Sequence, residues 1–148
     1  MTLPQLIQSP YFKLFNISGI YTLPQGTLDI EDVSEVTATA TLTTYEILHL
    51  VGDTYKIFIE GHAHFKFNYL DPTPSSQIHT LVYTQPFSVY IPIEPQVRDL
   101  TFNLQPLVED CYGVCLSDRT IYYNLTLITI ASVSRNKGGG INEYSTLR

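Results

Sequence analysis

Between Ile57 and Tyr69 the odd positions read Ile57, Ile59, Gly61, Ala63, Phe65, Phe67 and Tyr69, and the even ones Phe58, Glu60, His62, His64, Lys66 and Asn68. Successive side chains of a strand point to opposite faces, so this period of two predicts a β-strand with one buried face. Fully extended, the run would reach about 45 Å, long for a small domain, and Gly61, which lacks a Cβ, is where a bend is expected. Pro72 and Pro74 fix φ and remove amide donors, so the segment from Asp71 to Ser76 is expected to reverse the chain. His79 to Ile93 then returns as a second strand, with Phe87, Val89, Ile91 and Ile93 on its apolar face and Pro86 marking a bulge or an edge.

Val36 to Leu42 alternates small apolar residues with threonine, and Ala38 and Ala40 leave room for large aromatics opposite. Tyr45 and Ile47 then carry the apolar phase on odd positions, a slip that predicts a bulge near Thr43 and Thr44. Leu23 to Gly26 and Val51 to Asp53 read as turns. Downstream, Leu100, Phe102, Leu104, Pro106 and Val108 form an apolar face that reads in phase through Tyr112, Val114 and Leu116, leaving Cys111 and Cys115 on the more polar face. Ile121 to Val133 is apolar on both faces, as a central strand would be. Residues 1–20 are apolar but interrupted by Pro4 and Pro10, and two readings stand: a strand of the chain's own domain, or an arm added to the sheet edge of a neighbouring subunit. The pattern as a whole predicts an all-β, jelly-roll-like β-sandwich of roughly seven to eight mostly antiparallel strands. The domain is expected over residues 23–133, with an N-terminal arm over 1–22 and a Gly-rich tail over 134–148.

With 148 residues the chain can bury a core without disulfides or metal. Only 15% of the residues are charged against 44% hydrophobic, a balance that leaves a surface of Tyr, Thr and Ser suited to interfaces. The net charge of −6, with Lys and Arg scattered, argues against a nucleic-acid partner. No basic region followed by an unbroken apolar run opens the chain, and no window reaches the length of a membrane span, so synthesis in the cytoplasm without a signal peptide or membrane insertion is expected. On that route the glycosylation patterns at Asn16 and Asn124 are expected to be accidental.

Candidate chemistry is sparse. His62 and His64 share a strand face and His79 comes from the expected partner strand, so a cupin-like metal site of three imidazoles is a weak candidate; the glutamate that cupins place after the second His is replaced here by Phe67 and Asn68. No nucleophile–base arrangement has motif context and no glycine loop suits a phosphate, so neither catalysis nor a cofactor is expected. Cys111 and Cys115, four residues apart on one strand, would sit about 13 Å apart where a disulfide needs about 7 Å or less. They read either as free thiols or as the source of an inter-subunit disulfide in an assembly that meets an oxidising exterior.

The order of LPQGTLDIEDVSEVTATATLTTYEI, YKIFIEGHAHFKFNYL, QIHTLVYTQPFSVYIPI, LVEDCYG and SDRTIYYNLTLITIASV resembles the SPOCS domain of spore-coat and morphogenesis proteins of endospore-forming bacteria, over about residues 23–133. The positions that carry the resemblance are Gly61, Tyr69, His79, Pro86, Phe87, Glu109, Asp110, Asp118 and Arg119. It implies a non-enzymatic domain that works by protein–protein contact around the spore, with His79 a structural hydrogen-bonding residue. On that basis the chain is expected to be made in the mother-cell cytoplasm and to reside in the spore coat or on the spore surface. Its partners would be further copies of itself, in a coat layer or appendage-like fibre, or other spore-envelope proteins. An adaptor that docks one morphogenesis protein on another, monomeric or dimeric by itself, is the alternative.

Overall fold

The computed structural model of the chain describes residues 10–134. Six long strands occupy most of them: β1 (Tyr11–Thr22), β2 (Asp32–His49), β3 (Tyr55–Leu70), β4 (Ile78–Ile93), β5 (Phe102–Ser117) and β6 (Thr120–Val133), with one short 3-10 turn, Pro95–Val97, before β5. They form two antiparallel three-stranded sheets, β1-β6-β5 and β2-β3-β4, whose inner faces share the core. The expected sandwich is present with six strands rather than seven to eight. The difference arises because breaks in pattern at Gly61 and Pro86 fall inside unbroken strands: the β3–β4 register runs from Tyr55↔Ile93 to Leu70↔Ile78 without a shift. Pro86 lies on β4, an edge strand, where a missing amide donor costs no ladder bond on the outer side.

Sheet β2-β3-β4 follows chain order, and β3 at its centre buries Ile57, Ile59, Ala63, Phe65, Phe67 and Tyr69, the odd positions of the alternation. β6 takes the centre of the other sheet, as its two apolar faces predict, and buries its odd residues from Ile121 to Val133. Four bulges interrupt the ladders, two on β2 and two on β5, with Ser34, Thr43, Glu109 and Leu116 as the extra residues. The Thr43 bulge is the one the phase slip predicts.

The Glu109 bulge overturns an expectation. It inserts one residue between Val108, which pairs with Leu127, and Asp110, which pairs with Thr126, and so reverses the faces of everything after it. Tyr112, Val114 and Leu116 therefore point outward and are exposed, whereas Cys111 packs partly buried against the core. Gly113 faces inward beside Val36, whose Cγ2 would lie 2.5 Å from a Cβ there. Only a glycine lets β5 approach β2 this closely.

Of the segment expected as an arm, Tyr11–Thr22 is a strand of the chain's own sheet, paired with β6 from Tyr11↔Ala131 to Thr22↔Thr120, and it buries Ile17. Residues 1–9 of that arm, and the tail beyond Ser134, lie outside the described residues.

Candidate functional site

The positions that stand out in the sequence converge on two structural junctions. The first is the crossover Leu23–Glu31, which carries the chain from β1 in one sheet to β2 in the other. Gly26, at φ 90°, closes its turn, and Leu23 and Ile30 are buried in the core beneath it. Arg119, in the β5–β6 turn, grips this loop from below. Its guanidinium donates to Thr27 O at 2.7 Å, Pro24 O at 2.8 Å, Asp29 Oδ1 at 3.0 Å and Thr27 Oγ1 at 3.3 Å. Backbone bonds from Leu23 N to Arg119 O and from Ile30 N to Asp118 O complete the clamp. The Tyr69 hydroxyl, reaching up from β3, donates to Leu28 O at 2.9 Å.

Behind Tyr69 sits Asp71, a carboxylate only 2% exposed. Thr73 donates to it through both its hydroxyl and its backbone N–H, and His79 Nε2–H donates to Oδ2 at 2.6 Å. The imidazole stacks on the Tyr69 ring at 5.2 Å. The Thr73 hydroxyl bond, seconded by His79, holds the Asp71 carboxyl below its ordinary value of 3.8 despite its burial. Because the folded state binds this proton less readily than the unfolded chain, the stabilisation is complete above pH 3.8 and is lost as pH falls through the lower folded value. Melting temperature measured from pH 7 down to pH 2 is expected to fall steeply in that acid window for the natural protein. Asp71→Asn should be less stable at pH 7 and flatter across the window; equal slopes would show that Asp71 does not carry the effect.

The second junction is Gly61, opposite Leu42 and Phe87 in the middle of the three-stranded sheet. A Cβ there would meet Thr41 O at 2.4 Å and Phe87 Cζ at 2.9 Å. The Thr43 bulge bends β2 over this point, and the Phe87 ring covers the glycine, so Gly61, Phe87 and neighbouring Pro86 act as one packing unit. Glu109 and Asp110 lie at the first of the two bulges on β5.

The histidines do not converge. His79 pairs with Tyr69 on the inner face of the β2-β3-β4 sheet, whereas His62 and His64, at even positions of β3, lie on its outer face. His64 bridges Thr41 Oγ1 at 3.1 Å and Thr84 Oγ1 at 3.2 Å across three strands. Strand parity thus rules out the three-imidazole arrangement, and among the described residues no cluster of three or more His, Cys, Asp or Glu side chains suits a metal. Cys111 and Cys115 are both free. Burial, with Asp110 adding to it, pushes the Cys111 thiol up to about 11, which leaves it a poor nucleophile at neutral pH. Cys115 is exposed and donates to Ser117 O at 3.0 Å. Of the two, only Cys115 is placed to meet another molecule.

The family model described as "SipL, SPOCS domain" matches residues 29–115, more than half of the chain. The chain belongs to the SPOCS family. No curated protein and no solved structure matches it. The matched segment spans β2 to β4 and nearly all of β5, so seven of the nine resemblance positions fall inside it, while Asp118 and Arg119 lie just beyond. SPOCS is a non-enzymatic, sporulation-related domain, and the protein is accordingly spore-associated. No helix among the described residues is long and apolar enough to cross a membrane.

The SPOCS positions account for how the sandwich holds together, but the surface it offers lies elsewhere. The four edge strands of the two sheets are of two kinds. β2 and β5 each carry two bulges and between them several acidic residues, including Asp32, Glu35, Glu46, Glu109 and Asp110, and they lean together on one side of the sandwich. On the other side, β1 and β4 have no register shift. β4 runs for 16 residues without one Asp, Glu, Lys or Arg, and β1 has Lys13 alone. That charge-free run was legible in the sequence as a signal of an unprotected edge.

Proposed function

We propose that this SPOCS protein is a structural subunit of the endospore envelope that assembles by strand addition at its β1 and β4 edges, building a coat layer or an appendage-like fibre. The supporting observation is the asymmetry of the edges. Soluble sheets blunt their free edges with bulges, charges and short strands, because an open row of N–H and C=O groups pairs with any strand that fits. Here β2 and β5 carry bulges and acidic residues, whereas β1 has Lys13 alone and β4 no charge or bulge, its two prolines, Pro86 and Pro92, being the interruptions of its row of amides. Adding β4 of one copy to β1 of the next is heterologous, and a heterologous contact that does not close on itself extends into a fibre. The inter-subunit strand expected from an N-terminal arm is thereby replaced by edges of the folded domain, with Cys115 the thiol available to cross-link neighbours once the exterior is oxidising.

Full-length protein, examined by negative-stain electron microscopy and light scattering, is expected to form fibres or sheets. Ile78→Lys with Val82→Lys, both at exposed positions of β4, places two charges along the edge and is expected to leave small discrete particles with an unchanged β-type circular dichroism spectrum. Assembly that survives both lysines would contradict the edge reading. A single small species from the natural protein at every concentration would instead favour an adaptor whose β4 edge receives a strand of another coat protein.

A further inference from the structure

Among the described residues nothing packs on the outer face of the β1-β6-β5 sheet. Register places its side chains in rows across β1, β6 and β5: Leu14, Ile128 and Leu107 in one, Ile20, Tyr122 and Val114 in another. Between these apolar rows lies a polar band in which Asn16 stands beside Thr126 and Asp110, and Ser18 beside Asn124 and Tyr112. Leu14 is 56% exposed, Ile20 62% and Val114 48%. Asp110 is the one charge on these rows.

We propose that this face binds the same face of a second copy about a two-fold axis that runs along β6. Such an axis keeps each row at its own level and lays β1 of one copy over β5 of the other. Leu14 then meets Leu107 of the second copy, Ile20 meets Val114, and the apolar rows close on each other at both ends. The single charge is matched as well. Asp110 falls opposite Asn16, whose Oδ1 accepts from Thr126 Oγ1 at 2.9 Å, so that its amide nitrogen is the group presented to the incoming carboxylate. A self-complementary patch in which residue i meets j and j meets i is what an isologous contact requires. Three strands of about 12 residues, at about 3.4 Å per residue and about 4.8 Å between strands, offer about 600 Å² per copy. The pair of faces therefore buries about 1,200 Å², the lower bound of stable protein interfaces. These rows carry one charge on a protein of net charge −6, so the contact brings in only one Asp110 carboxylate from each copy, each opposite an Asn16 amide. This inference adds to the strand-edge reading a second contact, one that would join fibres or layers through their faces.

The test uses full-length protein carrying Ile78→Lys and Val82→Lys, which separates the face from the edge. Sedimentation velocity is expected to show a dimer, converted to monomer by a further Leu14→Glu with the circular dichroism spectrum unchanged. Leu14→Cys with Leu107→Cys, in a Cys115→Ser background, is expected to give a covalent dimer on mild oxidation. Within one chain these two positions are separated by β6, about 9.6 Å across, beyond the reach of a disulfide. A monomer at every concentration, or a dimer that ignores Leu14→Glu and does not cross-link, would overturn the face contact and leave the edge reading standing. Fibres that persist with both β4 lysines would overturn the edge reading, and the cysteine pair would still decide the face.

Discussion

Gly61→Val is expected to lower the stability of the domain by about 3 kcal/mol, and its melting temperature by about 10 °C, although it adds only apolar atoms to a buried strand. The reason is the identity of the atom in the way. A Cβ at Gly61 would lie 2.4 Å from the Thr41 carbonyl oxygen, and that oxygen belongs to backbone fixed by the β2–β3 ladder and the adjoining Thr43 bulge. Side chains can turn aside; this carbonyl can move only if the two strands separate. Phe87→Leu removes the second obstacle, the ring 2.9 Å away, and is therefore expected not to rescue Gly61→Val. Rescue would show that the glycine exists to seat the aromatic ring rather than to let the bulged strand pass. Thermal unfolding of the two single variants and the double variant makes the distinction.

Arg119→Ala is expected to cost about 2–3 kcal/mol, since charge-assisted bonds to two backbone carbonyls are lost and the carbonyls are left poorly paired. The consequence reaches the core because the loop they hold carries the buried Leu23 and Ile30. Arg119→Lys keeps the charge but not the planar fork that spans Pro24 and Thr27, so it should recover less than half of the loss. Asp29→Ala removes only the half-exposed ion pair and should cost under about 1 kcal/mol. Urea midpoints for the three variants order these contributions. If Asp29→Ala equals Arg119→Ala, the ion pair rather than the carbonyl clamp holds the crossover.

Much of the sandwich was legible because its buried strands alternate cleanly. The odd positions of β3 are large and apolar while the even ones include Glu60, His62, His64 and Lys66, so one face could only be the core. The Thr43 bulge was readable for a related reason: apolar residues on both sides of it changed parity from Leu42 to Tyr45. The Glu109 bulge offered no such mark. After it, Tyr112, Val114 and Leu116 compete with Cys111, Gly113 and Cys115, and hydrophobicity favours the wrong set, because the inward face must be small where β5 meets Val36. β1 was obscured in the same way, since Phe12, Leu14 and Ile20 make its outer face as apolar as its inner one. That lost periodicity is itself informative: a strand apolar on both faces, at the edge of a sheet that no other described residues cover, has a surface still to be covered.

The site residues divide along the same line. Three imidazoles were expected to be able to converge; the β3–β4 register, unshifted at Pro86, instead puts His79 with Phe87 on the inner face of β4, away from His62 and His64 on the outer face of β3. Asp71, at the start of the proline-marked segment, read only as part of a chain reversal, yet it is the buried acceptor around which Thr73 and His79 are organised. A sequence pattern reports exposure along an element and says little of a loop that folds under its neighbour.

The most direct measurement of the edge claim is amide hydrogen exchange, followed by mass spectrometry, on assembled full-length protein and on the dissociated Ile78→Lys, Val82→Lys variant. Strand addition hydrogen-bonds the outward-facing amides of the edges it uses, so peptides from Ile78–Ile93 and Tyr11–Thr22 are expected to exchange more slowly in the assembled protein, with Asp32–His49 and Phe102–Ser117 unchanged. Protection that appears on β2 and β5 instead, or on no edge at all, would contradict assembly through the unblunted edges.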